Sequence, residues 1–236
     1  MSQVTISERP PLTRPRNATV SSAHWQLWGI RHVAERIGVT ECRRRLLHMM
    51  PGLLPFLLWI VPHRDPWGIP LITVVVALSM TLAALALYRE SDFARPGEES
   101  WHNSVSGYIV PILAMMLLLP GRAELGLMTL GVVAFGDGSA ALSGKLVGGS
   151  RLPWNTRKTW IGLSCFVIAG TLAASLSYWS EANPVVPFTI ALAIGAAAAL
   201  AGGIVESLPI RSHDNFRVGA TAALTGLMMH VLILGW

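Results

Sequence analysis

The sequence predicts an all-α protein, a polytopic membrane helix bundle of about seven transmembrane helices. Three observations predict it. Hydrophobic residues make up 52% of the 236 positions and charged residues only 13%, where soluble domains carry about 25% charged residues. Apolar runs near the length that crosses a bilayer, roughly 17–25 residues, recur along the chain. The basic residues then fall almost entirely on one side of the spans those runs define, as the positive-inside rule requires.

The elements follow in order. Residues 1–40 read as a disordered basic tail, with Arg9, Arg14 and Arg16 among Pro10, Pro11 and Pro15 and no apolar core of a signal peptide. Within it, Trp25, Trp28, Ile30, Val33 and Ile37 alternate with Arg31, Glu35 and Arg36. That spacing suits an interfacial amphipathic helix, and equally a short soluble helix packed on the protein. Residues 41–236 read as the transmembrane domain. Its candidate spans are Leu46–Val61, Ile69–Tyr88, Val105–Leu119, Leu125–Leu142, Trp160–Trp179, Val186–Leu208 and Val218–Trp236. The first and third are short and fit a tilted, partial or re-entrant segment. Trp67, Trp101, Trp160, Trp179 and Trp236 stand near span ends, as interfacial aromatics do.

With the N-terminus in the cytoplasm, 16 of the 18 Lys and Arg residues lie in the tail and in the loops near 89–104, 143–159 and 209–217. Only Arg64 and Arg122 face the other way. The net charge of +5 then describes a basic cytoplasmic face that attracts anionic lipid heads or a nucleotide. No nucleic-acid recognition module is visible, so no nucleic-acid partner is expected. Cys42 and Cys165 are far apart and match no metal spacing, which suits two small buried thiols.

This topology gathers the ionisable groups at the cytoplasmic interface. The run Phe135-Gly136-Asp137-Gly138-Ser139 puts a carboxylate between glycines at the end of an apolar segment, where an ionised acid is costly and calls for a partner. Gly136 and Gly138 would let the backbone bend sharply and approach a ligand. Asp137 could hold Mg²⁺, which takes one or two protein carboxylates plus substrate phosphates. Gly144-Lys145-Leu146-Val147-Gly148-Gly149 offers backbone N–H groups and an ammonium to phosphate oxygens, without the spacing of a P-loop. Arg157 and Lys158 add a bidentate clamp and a point charge; on charge alone they could equally be anchors flanking a span.

Glu206 ends a helix of small residues, and Asp214 and Asn215 follow in a turn that by itself would cap the next helix. Arg43-Arg44-Arg45 with His48 forms a further cluster, and helical spacing puts Arg45 and His48 on one face. Glu98-Glu99 reads as a solvated turn that could complete a metal site.

In their order, these motifs resemble the CTP-dependent lipid-alcohol kinases: polyprenol (dolichol), phytol and related diacylglycerol kinases, a family related to phosphatidate cytidylyltransferases. The resemblance runs from about Arg43 to the C-terminus. It is carried by Gly136-Asp137-Gly138-Ser139-Ala140 to Gly144-Lys145, by Leu152-Pro153-Trp154-Asn155-Thr156-Arg157-Lys158-Thr159-Trp160-Ile161-Gly162, by Val205-Glu206-Ser207-Leu208-Pro209-Ile210 with Asp214-Asn215, and by Arg45-Leu46-Leu47-His48. The second of these is most similar to phytol kinases.

The resemblance implies a membrane enzyme that moves the γ-phosphoryl group of CTP onto a lipid hydroxyl with Mg²⁺. It implies catalytic roles for Asp137, Asp214 and Lys158, and a metal site of Asp137, Asp214 and Glu206. Gly136, Gly138, Lys145, Arg157, Asn215, Arg45 and His48 would bind the nucleotide. Two departures stand out: His213 where members often carry an acid, and Ile161 where many carry a Glu. The alternatives are a phosphatidate cytidylyltransferase, which would release pyrophosphate, and a non-catalytic membrane protein or transporter.

Overall fold

Long apolar stretches fold as helices here, and Pro51 and Pro55 mark breaks between short ones. The computed structural model describes residues 37–60, 68–89, 101–210 and 214–235. The proposed amphipathic helix over Trp25–Ile37 lies outside them but for Ile37, as do Glu98, Glu99 and His213. The described residues form nine α-helices: α1 Val39–Met49, α2 Leu54–Leu58, α3 Gly68–Arg89, α4 Trp101–Leu118, α5 Ala123–Gly131, α6 Gly138–Leu146, α7 Trp160–Glu181, α8 Phe188–Ser207 and α9 Asp214–Leu234. A π-helical turn, Val132–Asp137, joins α5 to α6.

The result is an all-α polytopic membrane bundle. Four stretches are long and apolar enough to cross a membrane: Ala123–Leu146 (α5, the π turn and α6), Trp160–Glu181, Phe188–Ser207 and Asp214–Leu234. They coincide with the last four expected spans. Helices α3 and α4, 22 and 18 residues long, coincide with the second and third. The first expected span needs correction. Leu46–Val61 is not one helix: α1 ends at Met49, a 3₁₀ turn runs Met50–Leu53, and α2 is only five residues long. Pro51 and Pro55 each sit at the start of a new turn, because proline has no N–H to continue the preceding helix.

Helix α7 packs on α8, α5 and α6; α9 packs on α8, α4 and α5; and α3 packs on α4. Small residues let the backbones approach: Gly170 on α7 meets Ala199 on α8, Gly195 on α8 meets Ser175 on α7, and Gly131 on α5 meets Ala173 and Ala174 on α7, all of them buried. Close packing of small side chains is the main attraction between helices in lipid. Phe166, Tyr178, Ile112, Met116, Leu125 and Ile194 fill the core and are essentially inaccessible. The outward faces are also apolar: Leu71, Val74 and Leu78 on α3, Ile168 and Leu172 on α7, and Leu224 and Leu232 on α9 are exposed. Such contiguous apolar exterior suits lipid and not water.

One element was not anticipated. Arg151–Leu152 and Asn155–Thr159 pair as an antiparallel hairpin, β1 and β2, between α6 and α7. Gly148 and Gly149 lead into it with φ of 73° and 94°, a left-handed conformation that glycine adopts at little cost. Thr159 closes it by capping α7, its hydroxyl accepting from the Gly162 N–H at 3.1 Å.

Candidate active site

Asp137 is the last residue of the π turn. The expected sharp bend around it is absent, because Gly138 continues the chain in helical geometry at φ −59° and ψ −49°. The flanking glycines serve contact between helices instead. A Cβ on Gly136 would meet the Phe166 ring of α7, and one on Gly138 would meet Met49 of α1. Both are buried, so they draw neighbouring elements onto Asp137 and present no open backbone to a ligand. π turns are frequent at functional sites because they re-aim side chains and free carbonyls.

The side chains that meet Asp137 come from α1. Arg45 Nη1 donates to Asp137 Oδ2 at 2.8 Å, and His48 Nε2 lies 3.4 Å from the same oxygen and 3.2 Å from the Val133 carbonyl. Tyr108 of α4 packs its ring edge against His48 and donates its hydroxyl to the His48 carbonyl at 3.0 Å. Burial works against the Arg45 charge, but Asp137 and Glu41 outweigh it and hold its pKa above the ordinary value. Arg45 is therefore a permanent cation. Both contacts on Asp137 fall on Oδ2, which leaves Oδ1 for a further partner.

Glu41 ties this cluster together. Its carboxylate accepts from Arg44 at 3.0 and 3.2 Å, from Arg45 at 3.3 Å and from Lys145 at 3.0 Å. Lys145, expected to meet phosphate, is thus engaged by α1 in this state, with its side chain 48% exposed.

The hairpin supplies the third side. Lys158 Nζ donates to Glu206 Oε1 at the end of α8, and its charge also acts on Asp137 and Asp214. Asn155 fixes the hairpin against α8, donating to the Ser207 carbonyl at 3.0 Å and accepting from the Arg157 N–H at 3.1 Å. Trp154 Nε1 adds a bond to Ser207 Oγ at 3.0 Å. The Arg157 side chain is exposed and makes no ion pair among the described residues.

Asp214 lies apart, at the start of α9. Its side chain is 58% exposed and it accepts from Arg217 at 3.3 Å. Asn215 turns to α4 and donates to the Ser104 carbonyl at 3.1 Å. Asp137, Glu206 and Asp214 thus share the field of one ammonium, but no group of three metal-ligating side chains forms among the described residues. Mg²⁺ needs only one or two protein carboxylates when phosphates complete its shell, so Asp137 with its open Oδ1, joined by Glu206 or Asp214, is a donor set of the right chemistry.

Sequence reasoning passed over Glu41, Tyr108 and Arg217, and carried Asn155 only as part of the motif from Leu152 to Gly162. Glu41 was findable: it stands three and four positions before Arg44 and Arg45, the helical ion-pair spacing. Arg217, which also donates to the Val205 carbonyl at 2.7 Å, stands three after Asp214. Tyr108 carried no such signal.

Comparison with known proteins bears on what this arrangement serves. No family model matches the chain, and no solved structure matches it. Curated proteins do match. A wheat (Triticum aestivum) protein described as a probable phytol kinase, chloroplastic, is 30% identical over 127 residues, covering 52% of this chain and 42% of the relative. Phytol kinase 1, chloroplastic, of Arabidopsis thaliana is 24% identical over 198 residues, covering 78% of the chain and 65% of the relative. Farnesol kinase, chloroplastic, of the same plant is 25% identical over 206 residues, covering 79% and 64%. The chain is a distant relative of the phytol and farnesol kinases. It spans between about two fifths and two thirds of these kinases' own length. The stretch most similar to phytol kinases by motif, Leu152 to Gly162, is the hairpin and the cap of α7, which place Lys158 on Glu206.

Proposed function

We propose that this protein is a CTP-dependent lipid-alcohol kinase, which transfers a phosphoryl group to the hydroxyl of a phytol- or polyprenol-type alcohol at the cytoplasmic face of the membrane, with its N-terminus on that face. The observation that carries the reading is the meeting of Asp137, Arg45, His48, Lys158 and Glu206 at one end of an apolar bundle. The names of the curated relatives support it.

The hydroxyl oxygen of the alcohol bonds to the γ-phosphorus, the bond from that phosphorus to the β–γ bridging oxygen breaks, and the nucleoside diphosphate leaves. The hydroxyl proton passes to a carboxylate, Asp137 through Oδ1 or Asp214, whichever of the two does not hold the metal. Such transfer needs positioning and neutralisation of charge more than covalent help. Lys158 and the exposed Arg157 neutralise phosphate oxygens, and Lys145 joins them by exchanging Glu41 for phosphate. Arg45 and His48 hold Asp137 in place. Asn215 positions the start of α9, and so Asp214, against α4. Asp137, joined by Glu206 or Asp214, would hold Mg²⁺, which when bound would offset phosphate charge. The apolar exterior keeps the lipid chain beside the site.

The test is turnover by purified protein in lipid nanodiscs with CTP, Mg²⁺ and phytol, farnesol, a polyprenol or phosphatidate. Release of CDP with a phosphorylated alcohol is expected, along with loss of turnover in EDTA and recovery on adding Mg²⁺. Pyrophosphate release from phosphatidate would overturn the kinase reading.

A further inference from the structure

The other end of the bundle carries a second set of buried polar groups that this reaction does not use. Glu124 precedes Asp137 by 13 positions along α5 and the π turn, about 20 Å at the helical rise. There a cavity of about 220 Å³ opens, lined by Arg122, Glu124, Tyr178, Asn183, His230 and Leu234 among others. One water needs only about 10–15 Å³ of such space. Glu124 is 1% exposed and His230 2%. Yet Glu124 Oε1 and His230 Nε2 have no hydrogen-bond partner among the described residues, an arrangement that costs stability unless something fills it.

The chemistry of the lining narrows what that is. A divalent cation would find two candidate ligands and the Arg122 guanidinium, 3.7 Å from Glu124 Oε1. An anion would meet the Glu124 carboxylate. A neutral hydroxyl group meets neither objection. Tyr178 Oη and His230 Nδ1 are 2.5 Å apart, so Nδ1 is engaged and Nε2 is the nitrogen left for a ligand. A hydroxyl can accept from a protonated Nε2 or donate to a bare one, and a second can donate to Glu124 Oε1. Arg122, with Nη1 already bonded to the Asn183 carbonyl at 2.8 Å, has further donors at the rim.

We propose that this cavity is a binding site for a small polyol, a glycerol-type pair of hydroxyls bridging Glu124 and His230. It stands at helix ends beside exposed Trp179 and Leu234, where a lipid headgroup or a free polyol can enter. The site is independent of the proposed kinase reaction.

Native mass spectrometry of detergent-purified protein tests it, with phosphatidylglycerol, which carries the diol, against phosphatidylethanolamine, which does not. Saturation-transfer NMR with free glycerol tests the other source. Two hydrogen bonds of ordinary net strength predict about thirtyfold preference for phosphatidylglycerol. Glu124→Met and Leu234→Trp should abolish it, the latter by filling the mouth from an exposed position without touching the core. Asp137→Asn should keep it, which separates this site from the opposite one. Glycerol transfer that both variants abolish, without lipid preference, assigns the site to free polyol. Neither signal in the wild type, or signals unchanged in both variants, overturns the proposal and leaves the cavity to water.

Discussion

At Asp137 two demands meet on one carboxylate: it must stay charged in an apolar bundle, and one oxygen must stay open. Arg45 meets the first by bonding Oδ2 at 2.8 Å. Asp137→Asn keeps the shape, and Arg45 keeps Glu41, so the fold should survive with a loss of about 1.5–3 kcal/mol, the worth of a hydrogen bond to a charged group. Product formation should fall about 100-fold or more, as when a group poised for the transition state is removed. Full activity in that variant would sink the proposed mechanism. Lys158 and Glu206 separate structure from chemistry differently. Glu206 has a side chain only 6% exposed, so Lys158→Met strands a buried charge and should cost about 3–5 kcal/mol. Adding Glu206→Leu should recover most of that stability, seen as a restored unfolding midpoint. Activity should stay lost, because phosphate then lacks the Lys158 ammonium and the metal a candidate carboxylate. A double variant that regains turnover would make the pair purely structural.

Among elements, the glycines distinguish contacts that can yield from contacts that cannot. A Cβ on Gly195 would stand 2.8 Å from the Ser175 backbone nitrogen, so Gly195→Ala must push α8 off α7. The cost should be about 1–3 kcal/mol, the range for overpacking a tight interior, read as a lower unfolding midpoint. Gly138→Ala meets the flexible end of the Met49 side chain, so its cost should be smaller. Its effect should appear instead in turnover, through displaced α1 and a loosened Arg45–Asp137 contact. The six spans beyond α1 and α2, built from seven helices, were legible because twenty apolar residues have few alternatives in lipid. The broken first span was less so: Pro51 and Pro55 flag interruptions, but a proline inside a helix, as at Pro111 of α4, need not end it. The hairpin was hidden because Asn155 to Thr159 is polar and lacks strand periodicity; it is held by Asn155 reaching the Ser207 carbonyl. That contact, like Tyr108 on His48, joins segments far apart in sequence, and only the fold brings them together. Asp137, Arg45, His48, Lys158 and Glu206 were each visible as residues, and their pairing was not.

For the whole molecule, the decisive quantity is which end faces the nucleotide. Helix α7 spans 22 residues, about 33 Å at the helical rise, against a hydrocarbon core of about 30 Å. Trp160 and Trp179 stand exposed at its two ends, where interfacial aromatics anchor a span. Lys145 and the Asp137 cluster lie at the Trp160 end, while Val185 lies beyond the other. The positive-inside rule predicts that the Trp160 end is the cytoplasmic one, and the proposed transfer from CTP requires it. In a background with Cys42→Ser and Cys165→Ser, Lys145→Cys and Val185→Cys can be probed with a membrane-impermeant maleimide; both positions are exposed. Val185→Cys should label in intact cells, and Lys145→Cys only after permeabilisation. The reverse pattern would set Asp137, Lys158 and Glu206 on the face without a nucleotide supply, and no arrangement of those side chains could then sustain transfer from CTP. The expected pattern also places Glu124 and His230 at the outer interface, so one labelling experiment decides which leaflet supplies each end of the bundle.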